Sequence, residues 1–313
     1  MRHHRAKHLA LAVAVCFAVC PSHIYGQCPP SQALAGDRTL QSVPSLKLKT
    51  DQNDASQDVL HGKAHLEDVR IEGAPNLQDS IKAGIDDRLK RWGSEINSEV
   101  VEALTEGVRD VLQNNGYLQA KVSTETSVLN ADPADEHVSL TFRVSEGQEY
   151  RLAEIQFANA HVFPPWELRN QFPLHDGDVF NMAKIRDGLD ASRRLYVSVG
   201  YINMVASPDL QVDNTSQRIS VTLEIEEREQ YRVGSVEVLG LSPENSDTLV
   251  IKLKPGDIFR QTLIEEFYED NKSVVPGDAS LWKNTEINQN NTNSTVAIVF
   301  DFRGCQEPPS STD

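Results

Sequence analysis

The chain has 313 residues, 39% of them hydrophobic, a formal charge of −16 and four cysteines. That length and apolar content suffice for several small cores. A surface this acidic repels phosphate backbones, and no local basic patch offsets it, which speaks against nucleic acid as a partner.

From the N-terminus, Met1 to His8 is basic, Leu9 to Val19 is an eleven-residue apolar run, and Pro21 ends it. Eleven helical residues are too few to cross a bilayer core of about 30 Å. Residues 1–26 therefore read as an export signal, with cleavage after Ile24-Tyr25-Gly26. The rival is a lipoprotein signal ending at Cys20, which would set the bulky Val19 where a small residue is wanted. Cleavage leaves Cys28 and Cys305, which an oxidising compartment would allow to pair, or which stay two unrelated surface thiols. Residues 27–63 are polar and Pro-containing, with no period, and read as a flexible linker. No later apolar run is long enough to span a membrane, so no transmembrane segment is expected in the mature chain.

The informative signal is internal repetition. Three segments alternate strictly: Val138, Leu140, Phe142, Val144; Ile219, Val221, Leu223, Ile225; and Val296, Ile298, Phe300, Phe302. Period 2 predicts strands with one buried and one wet face. The first two lead to Tyr150-Arg-Leu152 and Tyr231-Arg-Val233, 81 residues apart. A strand is expected after each tyrosine, over Leu152 to Phe157 and Arg232 to Leu239, with Val69 to Gly73 as the counterpart in the first unit.

Next come His175-Asp-Gly-Asp-Val-Phe-Asn181 and Lys254-Pro-Gly-Asp-Ile-Phe-Arg260, with glycines 79 residues apart and a looser counterpart at Trp92 to Asn97. Helices follow, apolar at 3- and 4-residue spacings through Leu104, Val108 and Val111, and through Ile185, Leu189 and Tyr196. Asn181 suits an N-cap, and both helices end in a Gly-Tyr pair, Gly116-Tyr117 and Gly200-Tyr201. The third helix keeps Leu263, Ile264, Phe267 and Tyr268 but lacks that pair. A shorter, earlier helix is expected in each unit, over Leu77 to Trp92, Pro165 to Phe172 and Ser242 to Leu253. The fold class is thus α+β: three tandem β-α-α-β-β modules, each a small mixed sheet with two helices on one face. The modules span 64–149, 150–229 and 230–304, before a polar tail at 305–313.

The strand after each tyrosine, the Gly-Asp-Val-Phe-Asn and Gly-Asp-Ile-Phe-Arg turns, the helix ending Gly200-Tyr201 and the alternating last strand together resemble the POTRA (polypeptide-transport-associated) domains. These are the periplasmic modules of BamA-type outer-membrane protein assembly factors. The likeness runs from residue 64 to 304 and is strongest in the middle unit. It implies a non-enzymatic scaffold at the periplasm or the periplasmic face of the outer membrane. Its partners would be protein clients or a separate barrel subunit, since the family's barrel does not follow Phe302 to Cys305 here. By the family pattern the exposed sheet edge is the strand after the Gly-Tyr pair, Leu118 to Thr124 and Ile202 to Ala206. Leu118, Ala120, Val122, Ile202 and Met204 are then candidates for binding a polypeptide by β-augmentation. The other reading is that a neighbouring unit covers this strand. A cell-division or structural adaptor built from the same modules is the alternative function.

No hydrolase elbow, phosphate loop, zinc spacing or dinucleotide fingerprint is present, so no catalytic residue, cofactor or metal ligand is nominated. His61 and His65 have the spacing of two ligands on a helix, but they read as solvated linker residues without further ligands. Asp176 with Asp178, and Glu224 with Glu226, read as turn and wet-face carboxylates, and the sequons at Asn214 and Asn293 as incidental.

Overall fold

Alternation builds the centre of each unit. The structure, a computed structural model, describes residues 60, 62–132 and 135–303. The predicted export signal, His61, Cys28, Cys305, the polar tail and nearly all of the predicted linker lie outside the described residues.

The first unit runs β1 (Ala64–Glu72), α1 (Gln78–Trp92), β2 (Glu95–Ile96), α2 (Ser98–Asn114), β3 (Lys121–Asp132) and β4 (Asp135–Ser145). The second runs β5 (Arg151–Ala158), α3 (Pro165–Arg169), α4 (Met182–Val197), β6 (Val205–Asp213) and β7 (Arg218–Glu226). The third runs β8 (Arg232–Leu239), α5 (Pro243–Asp247), α6 (Thr262–Asp270), α7 (Leu281–Asn284), β9 (Thr285–Asn290) and β10 (Thr295–Asp301). Each unit forms its own sheet, ordered β2-β1-β4-β3, β5-β7-β6 and β8-β10-β9. The alternating strand is central every time, parallel to the unit's first strand and antiparallel to the hairpin partner before it. A central strand must bury its inward side chains, and Val138, Leu140, Phe142, Ile219, Val221, Leu223, Val296, Ile298 and Phe300 are fully buried.

One irregularity repeats in all three sheets. The parallel register slips by one residue between Leu66 and Asp68, between Leu152 and Glu154, and opposite the Val296/Ala297 step. An extra residue at the same point bends and twists each first strand alike. The long helices cover the inner faces with the residues their spacing picked out. Leu104 and Val108 lie buried on α2, where Leu112 rather than the half-buried Val111 completes the stripe, and Ile185, Leu189 and Tyr196 lie buried on α4. Asn97 and Asn181 cap them by accepting the backbone N–H groups of Val100 (3.0 Å) and Lys184 (2.9 Å). In the third unit Phe267 of α6 stacks on Phe300 at 3.8 Å between ring centroids.

Three expectations change. The first strand begins at Ala64, not Val69, so His65 lies on β1 rather than in the linker, 5.5 Å from the His137 ring. The helix expected over Ser242 to Leu253 stops at Asp247. Beyond it the β-branched Thr248, Val250 and Ile251 disfavour helix. Asn271 then holds the chain extended, accepting the Val250 N–H (2.8 Å) and donating to its carbonyl (2.9 Å). Third, α7 stands where the first two units have the Gly-Tyr turn.

Glu227, just past β7, ties the second unit together. Its Oε1 accepts the backbone N–H groups of His161 (2.7 Å) and Val162 (2.8 Å) and the Tyr196 hydroxyl (2.9 Å). Burial pushes the Glu227 carboxyl up, but the N–H groups of Val162 and His161 and the Tyr196 hydroxyl outweigh it and hold the group below its ordinary value. A depressed carboxyl contributes stability that is present above its unfolded pKa and lost as pH falls through the folded one. Glu227→Gln is therefore expected to lower stability at neutral pH by about 1–3 kcal/mol. It should also flatten the acid limb of the melting-temperature profile below the ordinary carboxylate value of 4.5, as read by thermal melts across pH.

Candidate functional site

Two features position anything this chain could bind: the open sheet edges, and the joints that set one unit on the next. The first strand of each unit has part of its outer edge covered. β2 pairs with β1, while Val179 and Ile258 bridge to Arg151 and Arg232. These bridges come from the Gly-Asp-Val-Phe and Gly-Asp-Ile-Phe turns that recur in the sequence. On the far side β3, β6 and β9 each pair with one strand only, among the described residues.

The edge strands follow the Gly-Tyr pairs, but they start later than the sequence suggested, at Lys121 and Val205. A turn at residues 117–119 and 201–203 intervenes. The five candidate residues are all buried, none more than 8% exposed. Ala120 and Val122 sit in the core of the first unit and Met204 in that of the second. Leu118 crosses into the core of the second unit, and Ile202 into that of the third. Their side chains serve core and joint; only Val122 lies within an edge strand as formed.

The edges differ in what they present. β3 is twelve residues long, with Ser123, Glu125 and Ser127 exposed and Thr124 and Thr126 turned inward. Its register shifts between Val128 and Asn130, beside the exposed Val128 and Leu129. β6 carries Pro208 opposite Leu223 in an unbroken ladder. A proline sits within a ladder only where its missing N–H would face outward, so the outer row of donors on β6 has a gap there. β9 has six residues. Beside β5, the exposed Trp166 and Pro165 face Ile155 and Phe157 across a shallow groove of about 490 Å³.

The joints are nearly identical. Tyr150 donates its backbone N–H to the Gly116 carbonyl (2.9 Å), as Tyr231 does to Gly200 (2.8 Å). Gly116 and Gly200 have φ of +89° and +92°. A Cβ at either would stand 2.7 Å from Val179 Cγ1 or 2.8 Å from Ile258 Cγ2. Only glycine fits both the left-handed turn and the close approach. The Tyr150 hydroxyl donates to Asn214 Oδ1 (2.6 Å) and stands 3.1 Å from Gln119 Oε1. The Tyr231 hydroxyl donates to Asn291 Oδ1 (2.7 Å) and accepts from Asn203 Nδ2 (3.0 Å). Each tyrosine hydroxyl thus sits between an amide of the preceding unit's turn and one of its own unit's hairpin. Burial raises the Tyr150 hydroxyl above its ordinary pKa, so it stays a donor.

Burying an aromatic of this size contributes about 1.5–3 kcal/mol, against about 1 kcal/mol per neutral hydrogen bond. Packing therefore sets the strength of the joint and the hydroxyl its register. The first unit has Ala64 in the tyrosine position, and its own incoming chain covers that end. Leu60 packs on the core and its carbonyl accepts from Ser98 Oγ (2.7 Å). The tyrosines and glycines of the joint recur visibly in the sequence, whereas Gln119, Asn203, Asn214 and Asn291 do not stand out there. The matched signal was the recurrence of an amide at corresponding turn positions.

Elsewhere, His137 Nδ1 lies 2.6 Å from Glu67 Oε1. No group of three or more His, Cys, Asp or Glu among the described residues could hold a metal. Asp178 accepts the His175 N–H (2.9 Å) and Asp176 pairs with Arg169 (2.9 Å), while Glu224 and Glu226 are exposed. No helix among the described residues is long and apolar enough to cross a membrane.

The POTRA family model, described as "Surface antigen variable number repeat", matches residues 64–147 and 150–228. The chain is 26% identical over 163 residues to the outer membrane protein assembly factor BamA of Buchnera aphidicola subsp. Acyrthosiphon pisum, covering 51% of this chain and 26% of that protein. Against BamA of Neisseria meningitidis serogroup B it is 22% identical over 204 residues, covering 60% of this chain and 25% of that protein. The chain thus spans about a quarter of the length of these relatives. The solved POTRA3-5 fragment of Haemophilus influenzae BamA has the same fold, with a TM-score of 0.54 at 17% identity, covering 78% of this chain and 97% of that one.

Two variants test the joint. Tyr150→Phe leaves Gln119 and Asn214 without their hydroxyl and is expected to cost about 1 kcal/mol. Gly116→Ala imposes φ strain plus a clash and is expected to cost about 2 kcal/mol or more. Thermal melts should rank them in that order, with Gly93→Ala, whose added Cβ meets nothing within 4 Å, as the control for φ strain alone.

Proposed function

The chain belongs to the POTRA family, and on that premise we propose that it is a non-enzymatic scaffold that binds unfolded outer-membrane polypeptides by adding them as strands to its open sheet edges. The observation that supports this most is an unpaired edge of twelve residues, β3, on a unit whose other edge is covered at its start by β2. An edge offers a row of N–H and C=O groups to any extended chain, so binding draws on backbone rather than a particular sequence. Such binding suits a module that handles many clients. β3 is the preferred edge, because Pro208 interrupts the donors of β6 and β9 is half as long. The face beside Trp166 supplies further contact. Export by the N-terminal 26 residues would place the chain in the periplasm, next to a barrel subunit as second partner. The units act over 64–149, 150–229 and 230–304, and no reaction is catalysed.

The test uses the mature chain (27–313) with photo-crosslinking residues at Ser123, Glu125 and Ser127 on β3, or Ser207, Asp209 and Gln211 on β6. Mixed with an unfolded outer-membrane protein, the β3 positions should give crosslinks and the β6 positions few. Pro208→Thr, which restores a donor, should raise the β6 yield. Absence of crosslinks at both edges would remove strand addition from the account.

A further inference from the structure

The two joints share their sheet-end socket, but only the first also locks helix to helix. The last carbonyl of α2 and the first N–H groups of α4 have no partners within their own helices. At the first joint they serve one another. Asn181 Nδ2 donates to the Asn114 carbonyl (2.6 Å), and the Ala183 N–H donates to Asn114 Oδ1 (2.8 Å). Asp110 extends the contact, 3.4 Å from Arg88 of α1 and 3.8 Å from Arg186 of α4, so three helices of two units share one ionic cluster.

At the second joint every one of these positions has changed. The place of Asn114 is taken by Ser198, whose hydroxyl turns back to the Leu195 carbonyl of its own helix (2.7 Å). The place of Asn181 is taken by Arg260, and α6 starts after Gln261 with no side-chain cap. Arg194 and Glu265 stand where Asp110 and Arg186 stood; both are exposed, and no ion pair joins them among the described residues. What remains lies at the sheet end: the turn at Gly200, Tyr231 and its two amides, Gln230 Nε2 donating to the Val199 carbonyl (2.9 Å), and Val197 and Ile202 packed into the third core.

We propose that the joint between the second and third units is the hinge of this chain, and that the first two units move as one body. A socket at one end of a sheet resists sliding and separation. It resists tilting much less than a socket plus a helix-end lock at a distance from it. The third unit can therefore pivot about Gly200 and Tyr231 without breaking the joint, carrying β9 and the exposed Val250 and Ile251 with it. Hinges are built this way, from a few terminal residues between bodies that stay rigid.

The test is a pair of distance distributions from spin labels on the full chain with its native cysteines changed to Ser. Labels at Lys82 and Asp190 report the first joint, and labels at Asp190 and Glu269 the second. The second distribution should be at least about twofold broader than the first. Asn181→Ala should broaden the first. Ser198→Asn combined with Arg260→Asn, which transplants the lock, should narrow the second. Equal widths in the unmodified chain would overturn the proposal, as would a first joint that stays narrow in Asn181→Ala. The comparison of widths stands even if a variant fails to fold.

Discussion

The constraint on which the rest of the structure depends is the close approach of a glycine turn to the next unit's tyrosine. At Gly116 and Gly200 the backbone runs within van der Waals reach of Val179 or Ile258, and the tyrosine N–H closes on the glycine carbonyl. That contact needs a positive φ and no Cβ at once. Once made, it fixes which end of each sheet faces the neighbour. The turn that completes the approach also delivers Leu118 or Ile202 into the neighbouring core. The second and third cores are thus each finished by a residue from the unit before, the behaviour expected of repeats that cannot bury their faces alone.

Occupying the sheet ends in this way leaves the sheet edges open. The turns that carry Val179 and Ile258 serve the joint and also cover the start of β5 and β8, so one short motif shields part of one edge and builds one socket. The opposite edge receives nothing comparable. Natural sheets usually blunt such edges, and here the treatment is uneven: Pro208 on β6, a short β9, and on β3 only a register shift near its far end. An uneven edge treatment is consistent with one edge kept available for a partner strand while the others are protected.

The elements were largely legible because their burial is one-sided. Strict alternation through Ile219, Val221, Leu223 and Ile225 has one physical cause, a strand with a single buried face, and all four are buried in the core. The helices of the first two units were equally plain, since Asn97 and Asn181 cap an apolar stripe. The joint was only half visible. Tyr150, Tyr231 and the glycines recur, but Gln119 and Asn214 lie in polar turns where no periodicity marks them. Asn214 sits in a sequon that reads as incidental, and nothing local marks it as the acceptor of the Tyr150 hydroxyl. The edge strands begin at Lys121 and Val205 rather than directly after the Gly-Tyr pair. The chain spends about three residues crossing to the next unit first, and that crossing exists only in three dimensions. In the third unit the extended segment at Val250 depends on Asn271, twenty-one residues away, a contact no local propensity reports.

The three tryptophans, Trp92 on α1, Trp166 on α3 and Trp282 on α7, place one natural reporter in each unit. Equilibrium unfolding of chains that keep a single tryptophan tests the central claim, that the tyrosine joint makes neighbouring units one cooperative structure. Coupling predicts one shared denaturation midpoint for Trp92 and Trp166, split into two by Tyr150→Ala, which removes the buried ring together with its hydroxyl. Separate midpoints in the unmodified chain, unmoved by that substitution, would contradict it.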